Sequence, residues 1–497
     1  MAFMGKSGGA ATIGLDIGTG FIKAVELRGG RGKFALTAVG VAPTPPGSIE
    51  NGVILSPQEI GIAVRQLLKT NGFSTNRVIS SVAGQSALVV RIIEVPEMSR
   101  KELAQTMKWE VERHVPFSAN EVFMDFAPLP PDPIKQSQGN MEVLLAVAQE
   151  TLINTHLEIL SSAGLEPQAI DVEPLASARA LVNIDSEGAA LKTVAIVNIG
   201  AATTDFSIVK DGVLVFPRSL PIAGRTFTKA ISDVMNISVD DAETLKKQKA
   251  RIAMADDPAA APKRTQAIPA AAPTMNLGMD LDDATPPVTP APPPPPDDDG
   301  LSFVTPDDAP VPVDLDLDDG HGVVKPKDIR FDVGADESDK YTPLLGAPIP
   351  EAPVNPPVLS SAPAPTGPAI TSGGSDPESQ AVFNAIRPVL DDLAKEIRRS
   401  IDYFRSRTTG GVIDEIHLCG GTAKMPGLDR FLEDDLALPV FVADPLVYVE
   451  VASKKITPAY VEDVASLLPV ALGLAMREML NDTADLVAAK PGKSKKT

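Results

Sequence analysis

The chain has 497 residues, enough for two or more domains, with a formal net charge of −20 and a pI near 4.7. This acidic balance argues against nucleic acid as the main partner, because phosphate binding requires clustered lysine and arginine. A single cysteine, Cys419, excludes an intrachain disulfide, and four histidines suggest no cysteine–histidine metal site.

The sequence carries no evident export or membrane segment. Its first ten residues lack the apolar core of a signal peptide, and no apolar run approaches the roughly 18 residues of a membrane helix. The longest run, residues 467–476, fits one buried face of a helix. We therefore expect a protein of a reducing compartment that reaches a membrane only through a partner.

Strands and helices alternate along the first part of the chain. Apolar residues at helical spacing, such as Ile60, Val64 and Leu67, predict helices, and Ser99 is a good N-cap. The predicted strands are 11–17, 21–28, 33–44, 77–83, 87–95, 122–129 and 141–149, and the predicted helices are 57–70, 99–114 and 150–163.

A second round of the same order begins at residue 193. Its predicted strands are 193–199, 204–210, 213–220 and 413–418, and its predicted helices are 225–236, 239–250, 376–405, 424–435 and 460–480. Three strands followed by helices, twice over, predict two α/β lobes of related topology. We expect the first lobe at 11–190, the second at 191–250 plus 376–480, and flexible ends at 1–10 and 481–497.

Residues 251–375 differ in kind from their flanks. They hold 25 of the 47 prolines, and 7 basic minus 20 acidic residues give a net charge of −13. Because so little apolar surface cannot offset the entropy of ordering, we predict a disordered insert in the second lobe. Two acidic and apolar patches, 279–283 and 313–319, leave a docking role as an alternative.

The first candidate motif is DIGTGFIK, at residues 16–23 between two predicted strands. Gly18 and Gly20 permit a tight hairpin whose backbone N–H groups approach phosphate oxygens, and Thr19 adds a hydroxyl. Lys23 can direct its ammonium at the same phosphates, and Asp16 can hold Mg²⁺ through water. Taken alone, the motif fits an ordinary hairpin with a glycine turn equally well.

The second motif is NIGAATTD, at residues 198–205, again strand, turn and strand. Two such hairpins, one at the start of each lobe, could clasp a phosphate chain, although this one alone is another ordinary hairpin. Asp205 is a second candidate ligand of Mg²⁺. The candidate phosphate contacts are Gly200, Ala201, Ala202, Thr203 and Thr204.

The third motif is CGGTAKMPGL, at residues 419–428 after a predicted strand. The pair Gly420 and Gly421 lets the backbone lie flat against a planar ligand such as adenine, and a helix N-terminus favours anions. Thr422 and Met425 complete the candidate set, whereas we expect Cys419 to be a small apolar packing residue.

In this order and spacing, the three motifs resemble the phosphate-1, phosphate-2 and adenosine motifs of the actin, sugar-kinase and chaperone ATPase superfamily. The resemblance implies an actin-like two-lobed α/β fold that binds ATP with Mg²⁺. Residues 171–176 look like the first connecting helix, which implies that Glu173 lies near the attacking water. No sugar-binding constellation is apparent, so we do not expect a kinase.

Two further segments add candidate cofactor contacts. Residues 242–246 resemble the segment whose Glu243 and Lys246 contact ribose or base, with a solvated helix face as the alternative. Residues 221–228, which include Gly224, are similar to PilM proteins.

The block at 77–165 resembles the compact two-layer subdomain of FtsA and PilM. Stretches similar to PilM are 95–98, 109–110, 114–117, 221–228 and 396–404, and the resemblance covers about 11–250 and 376–480. FtsA would add a C-terminal amphipathic membrane helix, which the basic residues 490–497 cannot form. The resemblance therefore indicates the PilM type, with the insert as a departure.

Resemblance to PilM implies an ATP-binding scaffold for type IV pilus assembly and twitching motility, cytoplasmic and peripheral to the inner membrane. Such proteins bind the cytoplasmic N-terminal peptide of PilN between the first-lobe core and the added subdomain, which links them to PilO and the motor ATPases. Candidate groove residues are Arg100, Lys101, Trp109 and Arg113, although we favour burial of Trp109 in the subdomain core. Homo-oligomerisation stays open.

Asn198 departs from the superfamily, which usually has aspartate at this position. Asparagine cannot accept a proton and offers one charge less to Mg²⁺ and water, so we expect ATP hydrolysis to be weak or absent. Asp16 and Asp205 could still hold the metal. The alternatives are an actin-like ATPase that works by filament turnover and a division or membrane adaptor like FtsA.

Overall fold

The computed structural model describes residues 11–30, 33–50, 52–84, 87–118, 121–130, 138–183, 192–254, 370–372, 376–408 and 411–488. The N-terminus at 1–10, the patches at 279–283 and 313–319, and the basic residues 490–497 lie outside these ranges.

The described residues form eighteen strands and ten α-helices. The strands are β1 Thr12–Ile17, β2 Phe21–Gly30, β3 Lys33–Pro43, β4 Ile49–Glu50, β5 Val53–Ile54, β6 Arg77–Val82, β7 Leu88–Pro96, β8 Val122–Pro128, β9 Asn140–Gln149, β10 Glu166–Val172, β11 Thr193–Ile199, β12 Thr204–Lys210, β13 Val213–Leu220, β14 Ile252–Met254, β15 Ile370–Ser372, β16 Glu415–Cys419, β17 Val440–Val442 and β18 Val449–Val451. The helices are α1 Pro57–Asn71, α2 Arg100–His114, α3 Glu150–Ala163, α4 Glu173–Ala178, α5 Gly224–Met235, α6 Val239–Lys249, α7 Pro377–Arg407, α8 Leu428–Leu436, α9 Pro458–Val464 and α10 Pro469–Ala488.

The two lobes have sheets of matching topology, as the sequence predicts. The first sheet has the order β10-β6-β1-β2-β3-β18, and the second has the order β13-β12-β11-β16-β17. In each, an antiparallel hairpin, β1–β2 or β11–β12, is followed by parallel strands, β6 and β10 or β16 and β17. Because parallel strands end at one edge, each lobe presents its turns and strand ends on a single side.

The predicted helix starts and core faces are confirmed where local signals are strong. α1 begins at Pro57, buries Ile60, Val64 and Leu67, and ends at Gly72 in the left-handed conformation. α2 begins after Ser99, which forms a capping box with Glu102.

The added subdomain consists of the sheet β7-β9-β8 and α2. One sheet face, including Val143 and Val147, packs on Leu103 and Met107 of α2. The opposite face, including Leu144 and Ala148, packs on the core of both lobes. α2 therefore lies on the outer side of the subdomain.

The end of the described chain packs on the first lobe, so the prediction that the second lobe extends to residue 480 is wrong. β18 pairs in parallel with β3, and α10 packs on β1 and β2 with Leu472 and Met476 beside Val25 and Leu27. The approach is close because Gly14 has no side chain: a Cβ there would lie 1.9 Å from the Ala471 carbonyl oxygen.

Two predicted helices are wrong in detail, and both errors have a local cause. The predicted helix 424–435 is a 3₁₀ turn, Thr422–Lys424, followed by α8, because Pro426 and Gly427 (φ 84°) interrupt it. The predicted helix 460–480 is broken before Pro469.

No single helix in the described ranges is long and apolar enough to cross a membrane. One helix pair, Pro458–Leu467 with Pro469–Leu480, meets the length and composition test but is bent by 90°.

Candidate functional site

A cleft of about 1310 Å³ lies between the lobes, where the turns of β1–β2 and β11–β12 approach each other. A Cβ at Gly20 would lie 3.0 Å from the Ala201 Cβ, so the turns nearly touch. With the exception of Thr204, all predicted site residues line this cleft: Asp16, Gly18, Thr19, Gly20, Lys23, Glu173, Asn198, Gly200, Ala201, Ala202, Thr203, Asp205, Gly224, Glu243, Lys246, Gly420, Gly421, Thr422 and Met425.

The first hairpin holds an ammonium beside its glycine turn. Asp16 and Lys23 are register partners, and Lys23 Nζ lies 2.5 Å from Asp16 Oδ2. The Gly18 N–H donates to the Phe21 carbonyl at 3.1 Å. The Thr44 hydroxyl fixes the turn by donating to the Gly18 carbonyl at 2.6 Å. Sequence reasoning missed Thr44, which lies 26 positions away.

The second hairpin is tied to the start of α5 rather than to a lysine. The Gly224 N–H donates to the Gly200 carbonyl at 3.0 Å, and the Arg225 N–H donates to the Ala201 carbonyl at 2.8 Å. The prediction that Thr204 contacts phosphate does not hold. Thr204 is buried, and its hydroxyl donates to the Ile222 carbonyl at 2.6 Å. Its side chain therefore ties β12 to the loop before α5 and does not face the cleft.

The third motif requires glycine at its first turn position. Gly420 has a φ of 89°, and a Cβ there would lie 2.4 Å from the Ile199 carbonyl oxygen and 2.7 Å from Asn198 Oδ1. This segment is therefore pressed flat against the end of β11. Cys419 is fully buried and burial raises its thiol pKa, which confirms the expected packing role.

Glu243 and Lys246 form part of the cleft wall. Lys246 Nζ donates to Glu243 Oε2 at 2.6 Å, to Thr228 Oγ1 at 2.8 Å and to the Gly224 carbonyl at 2.9 Å. Burial lowers the pKa of Lys246, while its contact with Glu243 opposes that shift. Because Lys246 is largely buried, the alternative of a solvated helix face does not hold for it.

Three carboxyl groups and one lysine meet at the floor of the cleft. Burial, followed by the charges of Asp16 and Asp205, raises the pKa of Glu173 well above its ordinary value, and Lys23 opposes this. Burial also raises the pKa of Asp205, against hydrogen bonds from Ser219 and Glu173. A hydrogen bond joins Glu173 and Asp205, and it raises the pKa of Glu173 and lowers that of Asp205. Excess negative charge of this kind favours a bound cation.

Two carboxyl groups, those of Asp16 and Asp205, would hold Mg²⁺. Within the described ranges, no cluster of three His, Cys, Asp or Glu side chains has the arrangement of a metal site. Two carboxylates fit Mg²⁺ nonetheless, because this ion keeps several waters and is shared with substrate phosphates.

One contact across the mouth of the cleft was not predicted from the sequence. Lys247 Nζ lies 6.0 Å from the centroid of the Phe21 ring, so the second lobe touches the first hairpin through a cation–π contact. The pair is 226 positions apart (247 minus 21), and neither residue carries a local signal of the contact.

The candidate groove residues do not lie where they were expected. Arg100, Lys101, Trp109 and Arg113 are exposed on α2, the outer layer of the subdomain. Trp109 is 72% exposed, so its expected burial in the subdomain core is wrong. The junction between the subdomain and the first-lobe core is lined by Leu152, Ile153 and the partly buried Phe123.

Two lobes of matching topology, with glycine hairpins facing each other across a cleft, define the actin-like ATPase fold. A model of type IV pilus assembly protein PilM matches residues 14–253, and a model of cell division protein FtsA matches residues 195–465. The chain therefore belongs to the FtsA/PilM branch of the actin-like ATPases, and the resemblance to PilM is confirmed.

Two relatives give the extent of the similarity. The chain is 26% identical over 258 residues to cell division protein FtsA of Bacillus subtilis (strain 168), a match that covers 48% of this chain and 57% of that protein. It is also similar to the solved PilM–PilN type IV pilus biogenesis complex, with a TM-score of 0.62, 23% identity, and coverage of 95% of this chain and 99% of that one.

Proposed function

We propose that the protein is an ATP-binding scaffold of the type IV pilus machine, held at the cytoplasmic face of the inner membrane by a partner. The observation that carries this proposal is the convergence of three motifs, far apart in sequence, on one cleft of a PilM-like fold. The turns at 18–20 and 200–203, together with Lys23, would hold phosphates. Residues 420–425, Glu243 and Lys246 would hold the nucleoside.

Weak hydrolysis follows from the polar groups at the cleft floor. Asn198 cannot act as a base, and burial together with two neighbouring carboxylates raises the pKa of Glu173 well above its ordinary value, which favours the protonated form that cannot accept a proton. Bound Mg²⁺ would supply positive charge to the phosphates through Asp16 and Asp205. Phosphate release should be slow in the native protein and faster in Asn198→Asp. Rapid release by the native protein would instead favour an ATPase that turns over filaments.

The membrane partner of this scaffold is a short extended peptide such as the cytoplasmic start of PilN. Support comes from the similarity over nearly the whole chain to the PilM of a PilM–PilN complex. We place the peptide at the junction between the subdomain and the first-lobe core, beside β8. This strand is an edge of its three-stranded sheet, and edge strands pair with extended peptides.

Titration of a labelled PilN N-terminal peptide tests this placement. Native protein should bind with an affinity on the order of micromolar, because ordering the free peptide opposes binding. Phe123→Ala should weaken binding, since Phe123 packs at the junction. Trp109→Ala is the matched aromatic control on the outer helix and should bind like the native protein. Loss of peptide binding in Trp109→Ala alone would instead place the peptide site on α2.

A division adaptor like FtsA is the competing function, favoured by the FtsA match over residues 195–465. An FtsA-type partner would be a division protein and not PilN. Pull-down with the PilN peptide and with a division-protein tail separates the two, and capture by the tail alone would reject the pilus proposal.

A further inference from the structure

One buried polar side chain in the cleft has no assigned role. Ser81 lies near the end of β6, is 4% exposed and lines the cleft. Within the described part of the chain, its hydroxyl has no hydrogen-bond partner. A buried hydroxyl without a partner destabilises the free protein, so its presence points to a ligand that completes it.

The direction of this side chain follows from the sheet. Residues two apart on a strand point to the same face. Gly14 meets α10, as does Ile79, which packs on Val470 and Leu474. Asp16 and Ser81, each two positions further on, therefore extend past the start of α10 into the cleft.

Neighbouring strand ends bring further site groups to the same floor. Leu15 pairs with Ser80 across β1 and β6, so Asp16 and Ser81 are next to each other. Asp171 pairs with Ser81 across β10 and β6, and Glu173 begins the helix that follows β10. Ser81 is thus placed between the hairpin carboxylate and Glu173.

The matching topology of the lobes locates Ser81 along the cleft. β6 occupies the position in the first sheet that β16 occupies in the second, next to the hairpin strand β1 or β11. The segment after β16, residues 420–425, is the candidate base site. By register, Ser81 beside Asp16 corresponds to Cys419 beside Asn198, so the residues that follow Ser81 are the counterpart of 420–425. Because the two lobes face each other across the cleft, this counterpart lies at its other end. A nucleotide with its base at 420–425 directs its last phosphate toward that end.

We propose that the Ser81 hydroxyl donates a hydrogen bond to the terminal phosphoryl group of a bound nucleoside triphosphate and so distinguishes triphosphate from diphosphate. This inference rests on the proposed nucleotide binding. Phosphoryl oxygens accept hydrogen bonds and donate none, which suits a hydroxyl that lacks an acceptor.

Calorimetric titration of ATP and ADP, each with Mg²⁺, into native protein and Ser81→Ala tests the proposal. ATP affinity should fall about tenfold in the variant, while ADP affinity stays unchanged. The unfolding midpoint without nucleotide should stay the same or rise, because the variant removes an unpaired buried hydroxyl. Ser81→Thr keeps the hydroxyl and should retain the ATP preference.

Ser400→Ala is the matched control, because this buried serine accepts a 2.8 Å hydrogen bond from Arg218 in the second lobe, outside the cleft. It should lower the unfolding midpoint and leave the ratio of ATP to ADP affinity unchanged. An unchanged ratio of ATP to ADP affinity in Ser81→Ala would overturn the role of Ser81. Failure of the native protein to bind either nucleotide would overturn the proposed function itself.

Discussion

The two lobes share a topology but divide the chemistry of the cleft unequally. The first lobe supplies the ammonium, Lys23, and two of the three clustered carboxyl groups, Asp16 and Glu173. The second lobe supplies Asp205, the neutral Asn198 and the flat segment at 420–425. Most of the charge at the cleft floor therefore comes from the first lobe, whereas the flat surface comes from the segment after β16 in the second lobe, so topology alone does not assign a role.

The strongest test of the shape role is Gly420→Ala. A side chain at a φ of 89° and 2.4 Å from a carbonyl oxygen should lower the free energy of unfolding by about 3 kcal/mol, the upper end for backbone strain. Gly421→Ala is the control, because Gly421 has a φ of −64° and its nearest neighbour is 3.7 Å away. Denaturant unfolding measures both. Equal stability of the two variants would contradict the requirement for glycine.

Two groups with shifted pKa values, His156 in the first lobe and Glu415 in the second, should make the lobes respond to acid at different pH. In the first lobe, His156 donates to Ser80 and burial lowers its pKa to about 4 from an ordinary 6.5. The unfolded chain binds this proton more readily, so stability is lost as pH falls from about 6.5 to about 4. The loss reaches about 3 kcal/mol at 1.36 kcal/mol per pKa unit. His156→Asn should remove it in denaturant titrations between pH 7 and pH 4.

In the second lobe the buried His417 faces Glu415, whose pKa is lowered to about 2 by its hydrogen bond with His417. A lowered carboxyl pKa contributes stability above its ordinary value of 4.5, and this is lost as pH falls toward 2. The loss of stability between pH 6.5 and pH 4.5 should therefore come from His156. An unchanged pH dependence in His156→Asn would contradict this division.

The charge role of the first hairpin predicts a large effect on binding. Lys23→Ala removes a charge-assisted phosphate contact worth about 1.5–3 kcal/mol, so ATP affinity should fall roughly ten- to a hundredfold. Lys395→Ala, which removes a lysine exposed on α7, is the control. Isothermal calorimetry with Mg²⁺ measures both variants. Unchanged affinity in Lys23→Ala would refute the assignment of the first hairpin.

The smallest effect is expected from removing the insert. Residues 252–254 pair antiparallel with 370–372, so Met254 faces Ile370 and a two-residue Asn-Gly turn can replace 255–369. Loop entropy changes slowly with length, so stability should shift by only about 1–3 kcal/mol, with ATP affinity unchanged. Thermal unfolding and calorimetry test this. Loss of cooperative unfolding would show that the insert supports the second lobe.

Sequence reasoning succeeded where the signal is local. The hairpin turns, the Ser99 cap and the spacing of Ile60 and Val64 fix their elements within a few residues, and all match the structure. The three motifs located the cleft for the same reason, since each combines a strand end with glycines.

The misses are contacts between distant segments. Seven strands were not predicted: β4, β5, β10, β14, β15, β17 and β18. All except β10 have only two or three residues and depend on their partner strands, and β14 and β15 lie within the segment 251–375 that was predicted to be disordered. Trp109 was expected inside, since tryptophan favours burial, but its position on α2 is opposite Leu103 and Met107. Thr204 precedes Asp205 on β12, so its side chain points to the opposite face of the strand, away from the cleft that Asp205 lines.

The last strand and helix of the described chain pack on the first sheet. The first lobe can therefore be completed only near the end of synthesis. Val25 and Leu27 are made early, yet their cover, Leu472 and Met476, leaves the ribosome more than four hundred residues later. Until then, one face of the first sheet stays without its partner and exposes apolar surface. We expect nascent chains that stop before β18 to require chaperone protection, whereas the second lobe has all its strands by Val442.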